Sequence, residues 1–269
     1  ATLYIDAAAV ANRRLRMSAT LAELLEHIDF TLQPGRFRDY CPNGLQVEGR
    51  SDVQKLASGV TASQALIDSA IDWGADAILV HHGYFWRGES APVVGMKRRR
   101  LGSLLGADVS LLAYHLPLDA HPELGNNARL GHLLGIEAQA PLQPEDPGSV
   151  GNVGELPAPV TAGELCSRLE ALTGQRPLHI GDRDDTLRRV AWCTGAAQSY
   201  IDAAVAARAD VFITGEVSEP TVHVAREEGV HFIAAGHHAT ERYGVQALGE
   251  HLAQTFGLEH RFIDVPNPV

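Results

Sequence analysis

Two adjacent histidines, His81 and His82, close the apolar run Ala75-Asp76-Ala77-Ile78-Leu79-Val80. Twice further on, a strand-like run ends in a histidine followed four residues later by a carboxylate. These are His115 and Asp119 after Leu111-Leu112-Ala113-Tyr114, and His237 and Glu241 after Phe232-Ile233-Ala234-Ala235-Gly236. Imidazole and carboxylate are donors that divalent transition metals accept. The carboxyl ends of strands are where open α/β sheets bind ligands. A site with this many donors has room for two metals, and paired cations serve hydrolysis by activating a water.

Pro117 lies between His115 and Asp119, so no regular helix can present both at i and i+4. Both are expected from a strand end and the loop after it. Thr240 reads as a helix N-cap, with Glu241 in the first turn of a helix running through Tyr243-Gly244-Val245-Gln246-Ala247-Leu248. Adjacent strand residues point to opposite faces. His81 and His82 therefore serve one site only if the strand has ended, as Gly83 favours, or if two metals take one histidine each. The expected ligands are His81, His82, Asp119, His237 and Glu241. His115 is either a further ligand or a group that orients one. His238 is expected to orient a ligand or to lie exposed. His121, His132, His179, His223, His231, His251 and His260 are expected mostly on helix surfaces or in loops. No GxSxG, Walker or post-strand GxGxxG motif supports another chemistry. Asn43-Gly44-Leu45-Gln46, taken alone, reads as a turn.

The elements that must position these residues occur twice. The segment from Lys55 to His82 aligns without a gap on Arg189 to Glu216, at an offset of 134, with eight identities in 28 positions. Each copy reads as strand, Gly- or Thr-bearing turn, helix and second strand. At an offset of 122, His115 falls on His237 and Asp119 on Glu241. The chain is thus expected to be a duplicated α/β protein whose halves face each other and contribute one metal-binding edge apiece. The change of offset places 12 extra residues in the first half, in the stretch from Gly83 to about Gly95. The aromatic cluster Tyr84-Phe85-Trp86 in it reads as a packing plug, ahead of a lid or an oligomer contact. The Pro-, Gly- and Glu-rich stretch from Pro141 to Pro159 reads as the link between halves.

At 269 residues, 45% apolar and 20% charged, the chain is long enough to bury a sizeable core. A net charge of −11 argues against a duplex nucleic-acid partner, which needs a basic stripe. The one dense basic run, Lys97 to Arg100, reads as a solvated helix face or subunit contact rather than a phosphate site. No apolar stretch approaches the roughly 18 residues of a membrane helix. Three cysteines without CxxC spacing (Cys41, Cys166, Cys193) fit a reduced, cytoplasmic setting. Arg13, Arg14 and Arg16 stand just before Met17, the reverse of a secretory signal. Residues 1–16 are therefore expected to be an N-terminal extension or expression remnant. Ser18-Ala19-Thr20-Leu21-Ala22-Glu23 reads as a capping box opening a helix.

Four ordered motifs, Asn43-Gly44-Leu45-Gln46, His81-His82-Gly83, His115-Leu116-Pro117-Leu118-Asp119 and Gly236-His237-His238-Ala239-Thr240-Glu241, resemble the NIF-three-like family. Its members carry a dinuclear metal centre and are often labelled GTP cyclohydrolase I type 2 homologues. The likeness runs from about Met17 to the C-terminus. It implies two interlinked α/β lobes, with the metal site at strand C-terminal ends between them, and a ring-shaped homohexamer. Position by position, it makes His81 and His237 ligands of one divalent ion, His82 and Asp119 ligands of the other, and Glu241 their bridge. The ions would be Zn, Fe, Mn, Co or Ni. The implied chemistry is a metal-dependent hydrolase acting on a purine nucleotide or related heterocycle. A phosphoesterase and a non-catalytic metal-delivery or scaffold protein are the alternatives. The lobes are expected at 17–140 and 189–269, joined by 141–188, a connection too short for the extra domain that some members insert there.

Overall fold

A computed structural model describes residues 18–269, so the expected extension at 1–16 lies outside the described residues. The chain divides into two compact units. The first comprises the described residues through His115 together with Val245–Val265; the second is Leu116–Gly244 with Pro266–Val269.

Strands are numbered along the chain. In the first unit, β1 (Ala19–Thr20) and β3 (Asp52–Val53) form a small antiparallel pair. Thr20 caps the helix Leu21–Leu32, its hydroxyl accepting from the Glu23 amide while the Glu23 carboxylate accepts from the Thr20 amide, the expected capping box. The main sheet uses β2 (Gly44–Val47), β4 (Lys55–Thr61), β5 (Ala77–His82), β6 (Ser110–Ala113) and β13 (Glu259–Phe262), in the order β13-β4-β5-β6-β2. All neighbours are parallel except β2 against β6. Because parallel strands bury both faces, β5 reads as an unbroken apolar run. Ile78 and Val80 pack among Ala57, Leu66, Ile67, Leu104 and Leu111. The helices Gln64–Trp73 and Gly95–Ala107 carry the crossovers.

The second unit contains β7 (Glu137–Pro141), β8 (Asn152–Thr161), β9 (Leu178–Ile180), β10 (Thr186–Trp192), β11 (Val211–Thr214) and β12 (His231–Ala234). Their order is β7-β8-β10-β11-β12-β9, with β10, β11 and β12 parallel and the outer strands antiparallel. Alternation divides the core. Val190, Trp192, Val211, Ile213 and Ile233 join one cluster, and Ala191, Phe212 and Phe232 the other.

Duplication is visible in matched details. Asp76 accepts the backbone amides of Gln54 and Lys55, both at 2.9 Å. Asp210, 134 residues on, accepts those of Arg188 and Arg189 at 2.8 and 2.7 Å. Most of the unequal spacing, ten of the 12 residues, falls in the expected stretch, and the rest goes largely into a longer following helix. Residues 83–94 follow His82 before the helix Gly95–Ala107, whereas only 217 and 218 follow its counterpart Glu216 before the helix Glu219–Glu228.

Residues 141–188, read as a connection, instead supply β8, the helix Ala162–Thr173, β9 and the start of β10. Pro157 and Pro159 signalled a break. They sit where β7 no longer pairs with β8 and beside the register shift of β10 against β8, positions that need no amide donor. Beyond Gly244 the chain joins the first unit, ending at β13 beside β4.

Candidate metal centre

In the first unit, β5 does not stop short of the paired histidines: it runs through His82, which pairs with Thr61. The two rings nevertheless approach, with centroids 4.6 Å apart, and His115, just past β6, lies 5.0 and 5.6 Å from them. One ring nitrogen from each of His81, His82 and His115 falls within 4.8 Å of the others, a candidate metal-binding group. His81 is buried, and its Nδ1 lies 3.0 Å from the Tyr114 carbonyl. A ring that donates from Nδ1 to a carbonyl carries its lone pair on Nε2, the tautomer a ligand needs. Nδ1 of His82 meets the Thr61 hydroxyl at 3.1 Å.

The segment read as a turn builds the support for this group. Gly44, at φ +107, opens the short strand β2 rather than a turn. The Asn43 side chain accepts the His115 amide at 2.7 Å and donates to Asp39 at 2.9 Å. Asp39 in turn takes the His115 ring at Nδ1, 2.7 Å away. Burial raises the Asp39 pKa, but the His115 ring, Asn43 and the Tyr40 amide outweigh it and hold the carboxyl at about 2. The Gln46 amide accepts the Tyr84 N–H at 2.7 Å and donates to the Tyr84 carbonyl at 3.1 Å, fixing the chain just beyond His82. A Cβ at Gly83 would run into that amide. Tyr84 is the buried plug, whereas Trp86 stands edge-on to His115 at 5.0 Å.

The second unit gathers Asp119, His237 and Glu241. His237 opens the short helix His237–Thr240 directly after Gly236, at φ +97. Its Nδ1 meets Glu216 at 2.6 Å and its Nε2 meets Glu241 at 3.1 Å. Burial lowers the His237 pKa, but the bonds and charges of Glu241 and Glu216 reverse this and raise it to about 9. Glu241 sits at the break before the helix Arg242–Phe256, with φ −103 and ψ 6. Thr240 does not act as an N-cap. Its hydroxyl accepts from the Gly195 amide and donates to the His237 carbonyl. Gly195, at φ +72, leaves the space that one Glu241 oxygen fills.

Asp119 belongs to the helix Leu116–Ala120, not to a loop, and Pro117 is tolerated because it lies in the first turn. Its Oδ1 accepts from Asn126 at 2.8 Å and from the Thr194 hydroxyl at 3.4 Å. Carboxylate oxygens of Asp119 and Glu241 come within 4.8 Å of each other. Just before Thr194 in the chain is the buried Cys193, whose thiol burial and the two carboxylates push well above the ordinary range.

Of the remaining histidines, His121 lies in a loop and His132, His223 and His251 on helices, as expected, and His238 is buried rather than exposed. His179, His231 and His260 instead lie in strands, with His231 within hydrogen-bonding distance of His179 and Asp185. Asp39, Asn43, Gln46 and Glu216 were not singled out as ligand-supporting residues from sequence. For Glu216 a signal existed, since the repeat lays it on His82.

A duplicated α/β chain with imidazole and carboxylate donors at strand ends is the class that fold and site define. The chain belongs to the Duf34/NIF3 (NGG1p interacting factor 3) family, whose model matches residues 19–268. It is 57% identical over 252 residues to a GTP cyclohydrolase 1 type 2 homolog of Pseudomonas aeruginosa, covering 94% of this chain and 100% of that relative. A solved structure described as protein ybgI, unknown function, is 54% identical with a TM-score of 0.89, covering 93% of this chain and 100% of the other. That of TTHA1606 from Thermus thermophilus is 36% identical with a TM-score of 0.84, at the same coverage.

Proposed function

We propose that this chain is a metal-dependent hydrolase with two divalent ions, Zn, Fe, Mn, Co or Ni, per subunit. His81 and His237 would hold one, His82 and Asp119 the other, and Glu241 would bridge them. The donor chemistry fits: imidazoles and buried carboxylates, with Nδ1 of His81 and of His237 each engaged by an oxygen, as ligating rings require. Five protein donors for two ions leave positions for water and substrate, unlike a closed structural site. When bound, such a pair lowers the pKa of a water toward neutrality and polarises the group attacked.

The observation that carries a catalytic reading over storage is the His115–Asp39 pair beside the His81 and His82 rings. Asp39 orients the imidazole through Nδ1, which leaves Nε2 to pass a proton at the bond being broken. The substrate class proposed is a purine nucleotide or related heterocycle, opened at a ring C–N bond, in keeping with the name of the relatives. Metal-loaded protein should turn over nucleotides or simple phosphoesters, and Glu241→Ala should lose at least about a hundredfold of that rate. Equal turnover in the variant removes the proposal, whereas metal passed to an acceptor without turnover indicates delivery.

The assembly proposed is a homohexamer. Light scattering should give about six times the subunit mass of 28.9 kDa, and a monomer would contradict it. Three buried cysteines without disulfides support a cytoplasmic setting. No helix among the described residues is long and apolar enough to cross a membrane.

A further inference from the structure

We infer that the first unit carries a separate anion site, formed by Arg98, Arg99 and the start of the helix Gln64–Trp73, that takes the phosphoryl group of a small phosphorylated substrate. A cleft of about 430 Å³ is lined by Gln64, Arg98, Arg99, Gly102 and Ser103. Arg98, Arg99, Gly102 and Ser103 recur at the spacing of one helix face. Both arginines are exposed, and neither takes part in an ion pair with a described residue. The neighbouring Lys97, by contrast, is bound to Glu89 at 2.9 Å. A Cβ at Gly102 would meet nothing within 4 Å, so the floor of the cleft is open.

The other wall is the positive end of a ten-residue helix capped by Ser63, whose hydroxyl takes the Leu66 amide. Gln64 is its first residue, so its amide lies outside the helix's own ladder. The Gln64 side chain joins both walls, donating to Asp68 at 2.8 Å and to Ser103 at 3.0 Å. Its carbonyl oxygen is buried without a hydrogen-bond partner among the described residues, and the P–OH of a monoprotonated phosphate is the donor it can take. The Asp68 carboxylate faces Gln64, and the amide donates to it. Two guanidiniums and a helix N-terminus against that carboxylate favour an anion, and the guanidinium fork matches phosphate oxygens.

The start of that helix is tied to the strand that carries the histidines. The Ala62 amide donates to the His82 carbonyl at 2.9 Å, and Gln64 follows two residues later, at most about 7 Å of extended chain. A phosphoryl group held there leaves the rest of a small molecule at the edge where His82 stands. This role as a substrate subsite rests on the hydrolase reading; the anion site does not.

The test is calorimetric titration of inorganic phosphate and pyrophosphate into chelator-stripped protein, so that bound metal cannot supply the affinity. R98Q/R99Q should weaken binding by about tenfold or more, with the melting temperature and the metal content after reloading unchanged. Gly102→Asp, which fills the floor with an opposing charge, should abolish it. Wild-type affinity in both variants overturns the site. Phosphate bound in the cleft by a metal-loaded enzyme that hydrolyses unphosphorylated substrates just as well keeps the hydrolase and overturns the subsite.

Discussion

Gly195→Ala will lose its metal while Gly174→Ala will keep it. Both glycines occupy the left-handed region, at φ +72 and +78, so a methyl group costs each about 1 kcal/mol of backbone strain. Their surroundings differ. A Cβ at Gly174 meets nothing within 4 Å, whereas at Gly195 it lands on the Glu241 carboxylate. Glu241 must then swing away, and with it the proposed bridge between the two ions. Displacing the support of a ligand typically lowers metal affinity 10- to 100-fold, and here the ligand itself moves. Elemental analysis after gel filtration reads the result, and denaturant unfolding confirms that both variants fold. Wild-type metal content in Gly195→Ala would show that Glu241 is not a ligand.

Metal-free protein will lose stability as the pH rises from about 6.5 to about 9. Burial lowers the His237 pKa, but Glu241 and Glu216 more than offset it and lift the value from 6.5 to about 9. A group that binds its proton more tightly when folded stabilises the fold fully below its unfolded pKa. That contribution vanishes as the pH climbs through the folded one. The shift corresponds to a stabilisation on the order of 3 kcal/mol. Two other histidines act in the opposite sense: burial lowers the pKa of His179 and of His260, so their titration falls below about 6.5, outside the window. A bound ion requires His237 neutral, so loading should erase the slope, and metal affinity should fall about tenfold per pH unit below 9. Unfolding curves at pH 6 and 9, stripped and loaded, with His237→Gln as the control, decide the matter. A stripped chain equally stable at both ends of the range would mean that the two glutamates do not hold that proton.

What could be read in advance was whatever repeats or clusters along the chain. His81-His82 closes an apolar run because a parallel strand buried on both faces ends there. The 134-residue offset exposed the duplication because Asp76 and Asp210 serve the same backbone clamp. Thr20 and Glu23 announced a helix start because a capping box is local chemistry. The supports were harder. Asp39 lies 76 residues from His115 in sequence, and only the antiparallel docking of β2 on β6 brings the neighbouring Asn43 to the His115 amide. Thr240 misled because a hydroxyl before a helix resembles a cap, yet its partners here are Gly195 and His237. The C-terminal return to β13 gave no warning, since an edge strand of four residues, Glu259–Phe262, has little pattern to display.

The unequal loops have an engineering corollary. Where one copy spends residues 83–94 between His82 and the next helix, the other manages with 217 and 218. The molecule therefore holds a blueprint for its own simplification: a shortcut of that length already works on the same architecture. Grafting it into the first copy, with Tyr84's cavity refilled, would recreate a symmetric ancestor on the bench. Whatever chemistry survived the surgery would belong to the primordial fold, and whatever vanished would belong to the later embellishment.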